Sequence, residues 1–123
     1  MSEDKNVCSG GPTLIFSCSG AADVGEISDR SARKLSKEGA GAMFCLAGLG
    51  GKVEPIMKKT ASASKILAID GCNLDCVKLC LLKAGFSKFE HLRVTDLGIE
   101  KGKSPATEEN IDKVTTKAKK MLN

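Results

Sequence analysis

Short apolar runs alternate with longer amphipathic stretches four times along the chain. TLIFS, residues 13–17, is β-prone and ends in Cys18-Ser19-Gly20. In the ISDRSARKLSKEG that follows, Ile27, Ala32 and Leu35 fall near one helical face, and Gly39 is placed to cap it. The unit then recurs. AMFCLAG is a second apolar run before the glycine-rich GLGG, and residues 52–64 supply a second helix, with a break expected near Pro55. KILAID predicts a third strand, and CNLDCVKLCLLKAG a third helix that opens at Cys72 and is stopped by Gly85. HLRVTDLG predicts the last strand. After the polar loop 99–104, a final helix is expected to open at Pro105, a favoured first-turn residue.

Strands that alternate with helices, on crossovers long enough to reverse direction, predict a parallel sheet covered on both sides. The expected fold is a small doubly wound, Rossmann-like α/β domain: a four-stranded parallel sheet in the order 2-1-3-4, with helices on both faces. Its 123 residues, 41% of them hydrophobic, suit one core. The expected organisation is a flexible segment at 1–11 and a single domain at 12–123.

Composition removes several function classes. Tyr and Trp are absent and only four Phe occur, so stacking platforms for single-stranded nucleic acid are not expected. Much of the net charge of +4 comes from the run Lys113 to Lys120, which reads as the solvated face of a helix. No run approaches the roughly 18 apolar residues of a membrane span, and MSEDKNVCSGG is too polar for a secretory leader. A cytoplasmic protein with no membrane or nucleic-acid partner is expected. In a reducing compartment six cysteines point to metal binding or thiol chemistry rather than to disulfides.

Cys18 closes the first predicted strand, Cys45 lies near the end of the second, and Cys72 follows the third; Cys76 joins them. In open α/β sheets ligands bind beyond the C-terminal strand ends. A helix running through Cys72 would set Cys76 about 6 Å further along its axis and Cys80 about 12 Å, whereas two sulfurs on one Zn²⁺ lie only about 4 Å apart. Cys80 is therefore read as a small buried residue among Val77, Leu79, Leu81 and Leu82, and Cys8 likewise as a space-filler. The helix start is expected to lower thiol pKa values, with Arg30 or Lys34 offsetting the thiolate charge. Asp70 and Asp96, at strand ends, are candidates to hydrogen-bond and orient a metal ligand or to accept a proton, or else to cap a helix or anchor a turn. Ser28 reads as a helix N-cap, with Asp23 and Ser19 ambiguous beside it. His91, at the start of the last strand, is expected at the opposite end of the sheet from the thiols. Gly98 to Ser104 is one residue short of a phosphate-binding loop, and Ala47 to Gly51 falls short of GxGxxG.

PTLIFSCSGAADVGEISDR, MFCLAGLGG, KILAIDGC followed by Cys76, and VTDLG resemble, in this order, the DGC-domain family of small proteins proposed to bind zinc. The resemblance covers roughly residues 12–100, and the family takes its name from the tripeptide seen here as Asp70-Gly71-Cys72. It implies zinc bound by four cysteines, matched here by Cys18, Cys45, Cys72 and Cys76, and supplies no reaction. Two classes of function follow. One is a non-enzymatic zinc protein for storage, sensing or delivery. The other is an enzyme with an open metal position, or with a Cys72–Cys76 redox or sulfur-transfer pair, acting on a small molecule. In either class a small anionic or thiol-bearing molecule is the expected ligand, drawn by the helix N-termini that face the crevice.

Overall fold

The computed structural model describes residues 10–123. Its elements are β1 (Thr13–Ser17), α1 (Asp23–Lys37), β2 (Ala42–Met43), α2 (Leu46–Gly50), α3 (Glu54–Ala61), β3 (Lys65–Asp70), α4 (Cys76–Lys83), β4 (Glu90–Arg93), a 3-10 turn (Val94–Leu97) and α5 (Glu108–Leu122). All strand pairs are parallel and the order is β2-β1-β3-β4, the order expected. This is an α/β fold.

Alternation along the two central strands builds both halves of the core. Ile15, Leu67 and Ile69 pack with Val24, Ile27 and Leu35 of α1 and with Val114 and Ala118 of α5. Leu14, Phe16, Ile66 and Ala68 point the other way, against Leu49 of α2, Ile56 and Met57 of α3, and Val77 and Leu81 of α4. With both faces covered, β1 and β3 are nearly continuous apolar runs. Gly39 and Gly85 end α1 and α4 in the left-handed region, at φ +80° and +97°, as their placement in the sequence predicts.

Several element ends differ from the sequence reading, each for a local reason. Pro55 starts α3 instead of breaking a longer helix, because a proline at the first turn forfeits no helical hydrogen bond. α1 begins at Asp23, well before Ser28; the Ser28 hydroxyl donates to the Ile69 carbonyl at 2.9 Å, so it ties α1 to β3 and is not a cap. α5 begins after Pro105, at Glu108, where Thr107 Oγ1 accepts from Asn110 N and the Asn110 amide donates back to the Pro105 carbonyl. The last strand stops at Arg93 and tightens into the 3-10 turn. Leu79 and Leu82, expected to be buried around Cys80, are 48% and 43% exposed. The segment expected to be flexible, residues 1–11, lies outside the described residues except for its last two, and Cys8 lies outside them with it.

Candidate functional site

The loops that follow β1 and β3 meet at the C-terminal edge of the sheet. Cys18 N–H donates to the Ile69 carbonyl at 2.9 Å, carrying the β1–β3 ladder one residue beyond β1. Gly71 sits so close to α1 that a Cβ there would lie 2.8 Å from the Val24 carbonyl oxygen. On Gly25, a Cβ would lie 2.6 Å from the Gly20 carbonyl oxygen. Backbone thus packs on backbone at Gly25 and Gly71, where a Cβ would collide, and this seats the Cys18 and Cys72 loops side by side on the start of α1.

Cys76 is the first residue of α4, but Cys72 is not helical. Asp75 between them stands at φ 56°, ψ 45°, in the left-handed region, so no single helix runs from Cys72 to Cys80. The axial-distance argument that set Cys80 aside fails with it. Cys80 lies one turn along α4 from Cys76, half-buried against the second core cluster. Cys45 caps α2, its Sγ accepting from Gly48 N–H at 3.3 Å. Cys18 Sγ accepts from Gly20 N–H at 3.4 Å, and Cys72 Sγ from the Lys101 ammonium at 3.5 Å.

Burial, followed by the charges of Cys18, Asp70, Cys72 and Cys80, pushes the Cys76 thiol above its ordinary value. A lowering by the helix start was expected; the shift runs the other way, chiefly through burial. Arg30 and Lys34 do not face the thiols. Arg30 donates to the Ala106 carbonyl, and Lys34 pairs with Glu108 and Asp112 of α5. The cation at the thiols is Lys101, which nothing in the local sequence marks. Its loop is pinned by Asp23, whose carboxylate accepts from Gly102 N–H and Ser104 N–H at 2.9 Å each. These backbone donors hold Asp23 below the usual carboxylate range.

Asp70 is 1% exposed and accepts three hydrogen bonds: from Val77 N–H at 2.7 Å, from Lys78 N–H at 3.1 Å, and in a contact with His91 Nε2 at 2.9 Å. The strand-end carboxylate therefore caps α4 from outside its own segment, one of the roles the sequence leaves open. His91 was expected at the far end of the sheet. β4 is so short, however, that His91 pairs with Ala68 and Arg93 with Asp70, which puts the imidazole one pleat from Asp70 on the same side. Asp75 takes a two-pronged ion pair from Arg93, with Nη2 at 2.7 Å and Nε at 3.0 Å. That pair holds the Asp75 carboxyl below its usual range and Arg93 above its own. Asp96, exposed on the 3-10 turn, meets Arg93 at 3.4 Å.

Asp70, Asp75 and His91 each offer a ligand atom within 4.8 Å of the others, and among the described residues they form the one group of three or more that does so. Among the described residues no three cysteine sulfurs close to that distance. An α/β domain with thiols gathered at the C-terminal edge of a parallel sheet is the class these features define. The DGC-domain family model matches residues 14–118, so the chain belongs to the DGC-domain family. It is similar to the anaerobic and virulence modulator AnvM of Pseudomonas aeruginosa, 35% identical over 88 residues that cover 72% of this chain and 67% of that protein. No solved structure matches. Among the described residues no helix is long and apolar enough to cross a membrane.

Proposed function

We propose that this protein binds a metal ion, with zinc the expected ion, through Cys18, Cys45, Cys72 and Cys76. The observation that carries the reading is the close seating of the loops bearing Cys18 and Cys72 on the start of α1, with Cys76 at the adjoining start of α4. The donor set fits. Sulfur ligands suit Zn²⁺, Cu⁺ and iron–sulfur clusters, and the sulfurs of Cys18, Cys45 and Cys72 already accept hydrogen bonds, the polarity a thiolate ligand needs. Burial first, and then the neighbouring acidic groups, raise the Cys76 thiol, and a cation would offset both. A bound ion would supply Lewis acidity or a sensing signal.

Asp70 serves this site by holding the start of α4, and Asp96 only at a distance, through Arg93. The cluster of Asp70, Asp75 and His91 is the rival ligand set. Its carboxylate oxygens are already engaged by helix N–H groups, His91 and Arg93, which favours a scaffold role. Five free cysteines accord with a cytoplasmic location. The name of AnvM, a modulator, favours sensing over catalysis. One contact favours the enzyme reading: the Lys101 ammonium beside Cys72, which stabilises a reactive thiolate.

The test is metal analysis with ultraviolet–visible spectra on anaerobically purified protein. A stoichiometric, colourless metal is expected, lost strongly in Cys72→Ser and Cys45→Ser, while Cys80→Ala mainly costs packing of about 1 kcal/mol. Metal-free protein with a reversible Cys72–Cys76 disulfide supports the enzyme instead, and equal metal loss from Cys80→Ala moves Cys80 into the ligand set.

A further inference from the structure

At the β2 edge of the sheet lies a recess that shares Cys45 with the proposed metal site and is otherwise walled by residues the metal reading does not use. Its volume is about 470 Å³, and its lining includes Ser17 at the end of β1, Ser19 and Asp29, Phe44 and Cys45 after β2, and Cys80 of α4. A second hollow, of about 620 Å³, shares Arg33, Met43, Phe44 and Cys45 with it and adds Lys37. These volumes are in the range of small-molecule sites.

Two independent observations point to the occupant. Ser17 is 3% exposed, and its hydroxyl has no hydrogen-bond partner among the described residues. A buried hydroxyl without a partner is costly, and a ligand oxygen would satisfy it. The second observation is charge. Asp29 accepts from Ser19 Oγ at 2.8 Å and from Arg33 Nε at 2.9 Å, so one carboxylate fixes the guanidinium by its inner nitrogen. The two terminal nitrogens of Arg33, and the Lys37 ammonium, have no partner among the described residues. Within the recess Arg33 offsets Asp29, and Lys37 of the adjoining hollow leaves the two hollows together one positive charge in excess. Its wall is apolar, formed by Met43, Phe44 and Leu46, and the Phe44 ring is held edge-on to Phe16 at 6.0 Å.

The geometry points to a binding site for a small carboxylate with a short apolar body. The carboxylate accepts hydrogen bonds from Ser17 Oγ and the terminal nitrogens of Arg33, a planar fork suited to two oxygens. The body lies over Met43 and Phe44, and Lys37 adds attraction at the outer hollow. The inference narrows the expected anionic ligand to one class; Cys45 is part of the wall, but none of the carboxylate's contacts runs through it.

Hexanoate is the probe, titrated into the full chain as purified, with amide and Arg33 Nε–H resonances followed by NMR and metal content measured alongside. Saturable shifts confined to Arg33, Met43, Phe44, Cys45 and Ala47 are expected, with none from hexylammonium. Arg33→Gln is expected to weaken binding about tenfold, the worth of about one charge-assisted contact. Ser17→Ala is the second variant: it removes an unsatisfied hydroxyl, so it should melt no lower than the wild type and still bind hexanoate several-fold more weakly. The inference is overturned if hexanoate shifts are absent or scattered over surface lysines, or if either variant binds as the wild type does. A metal-free protein that binds hexanoate overturns the metal reading alone; a metal-bearing protein that does not bind overturns this one alone.

Discussion

Replacing Asp70 by alanine removes a carboxylate on which the N-terminus of α4 depends. The wild-type group is buried and receives two helix N–H bonds, at 2.7 and 3.1 Å, together with the His91 contact at 2.9 Å. Hydrogen bonds to a charged group contribute about 1.5–3 kcal/mol each, and the loss of a helix N-cap costs about 0.5–2 kcal/mol. The contributions do not add fully, because Lys78 is only half-buried and water can reach its N–H in the variant, whereas Val77 is fully buried and its N–H stays unpaired. A loss of about 3 kcal/mol is expected, equivalent to about 10 °C in melting temperature for a domain of this size. Asp70→Asn should cost about 2 kcal/mol, since the amide keeps one acceptor but turns an NH₂ towards a donor. Urea unfolding followed by circular dichroism measures the loss. Hydrogen exchange assigns it: the Val77 and Lys78 amides should exchange faster, while Leu14 and Phe16 in β1 follow only the global stability. A cost under about 1 kcal/mol in Asp70→Ala, with Val77 and Lys78 still protected, would show that α4 is held by packing alone.

Three further outcomes are expected. Gly71→Ala should lose about 1–3 kcal/mol and most of the bound metal, because its Cβ meets the Val24 carbonyl at 2.8 Å and the Cys72 loop must move away; calorimetry and metal analysis read both effects. Asp23→Ala should speed exchange at Gly102 and Ser104 and accelerate alkylation of Cys72, since the loop carrying Lys101 is no longer pinned; unchanged exchange would show that the loop is held from elsewhere. The pH dependence follows from Asp75, whose folded pKa lies below its ordinary 3.8 chiefly through the Arg93 hydrogen bond. A depressed carboxylate binds fewer protons folded than unfolded near that pH, so its stabilisation is present above the unfolded value and is lost as pH falls through the folded one. The stability gap between wild type and Arg93→Gln should therefore be full at neutral pH and shrink between about pH 5 and about pH 2, as acid-titration melts would show.

The short, β-prone apolar runs TLIFS and KILAID were enough to identify β1 and β3, and their alternation with helical stretches was enough for a parallel sheet, because both depend on side chains a few residues apart. The same local reasoning found the caps at Gly39 and Gly85 and put Cys18, Cys45 and Cys72 beyond strand ends. It failed where the deciding partner is distant in sequence. Asp75 could be read as a helical residue until its carboxylate was seen tied to Arg93, 18 positions away, beside a backbone turned left-handed. Asp23 stayed ambiguous in the sequence because its deciding partners, Gly102 and Ser104, lie about 80 positions away. His91 was misplaced because a strand's length, unlike its pattern, is set by its neighbours: β4 has four residues, and their register against β3 puts the imidazole beside Asp70. Sequence by itself therefore determined the layers and the edge at which the thiols collect, since burial and alternation are local properties of the chain. Only the tertiary structure decided which charges, hydrogen bonds and recesses surround those thiols, because each is made by groups whose proximity exists only once the loops have packed.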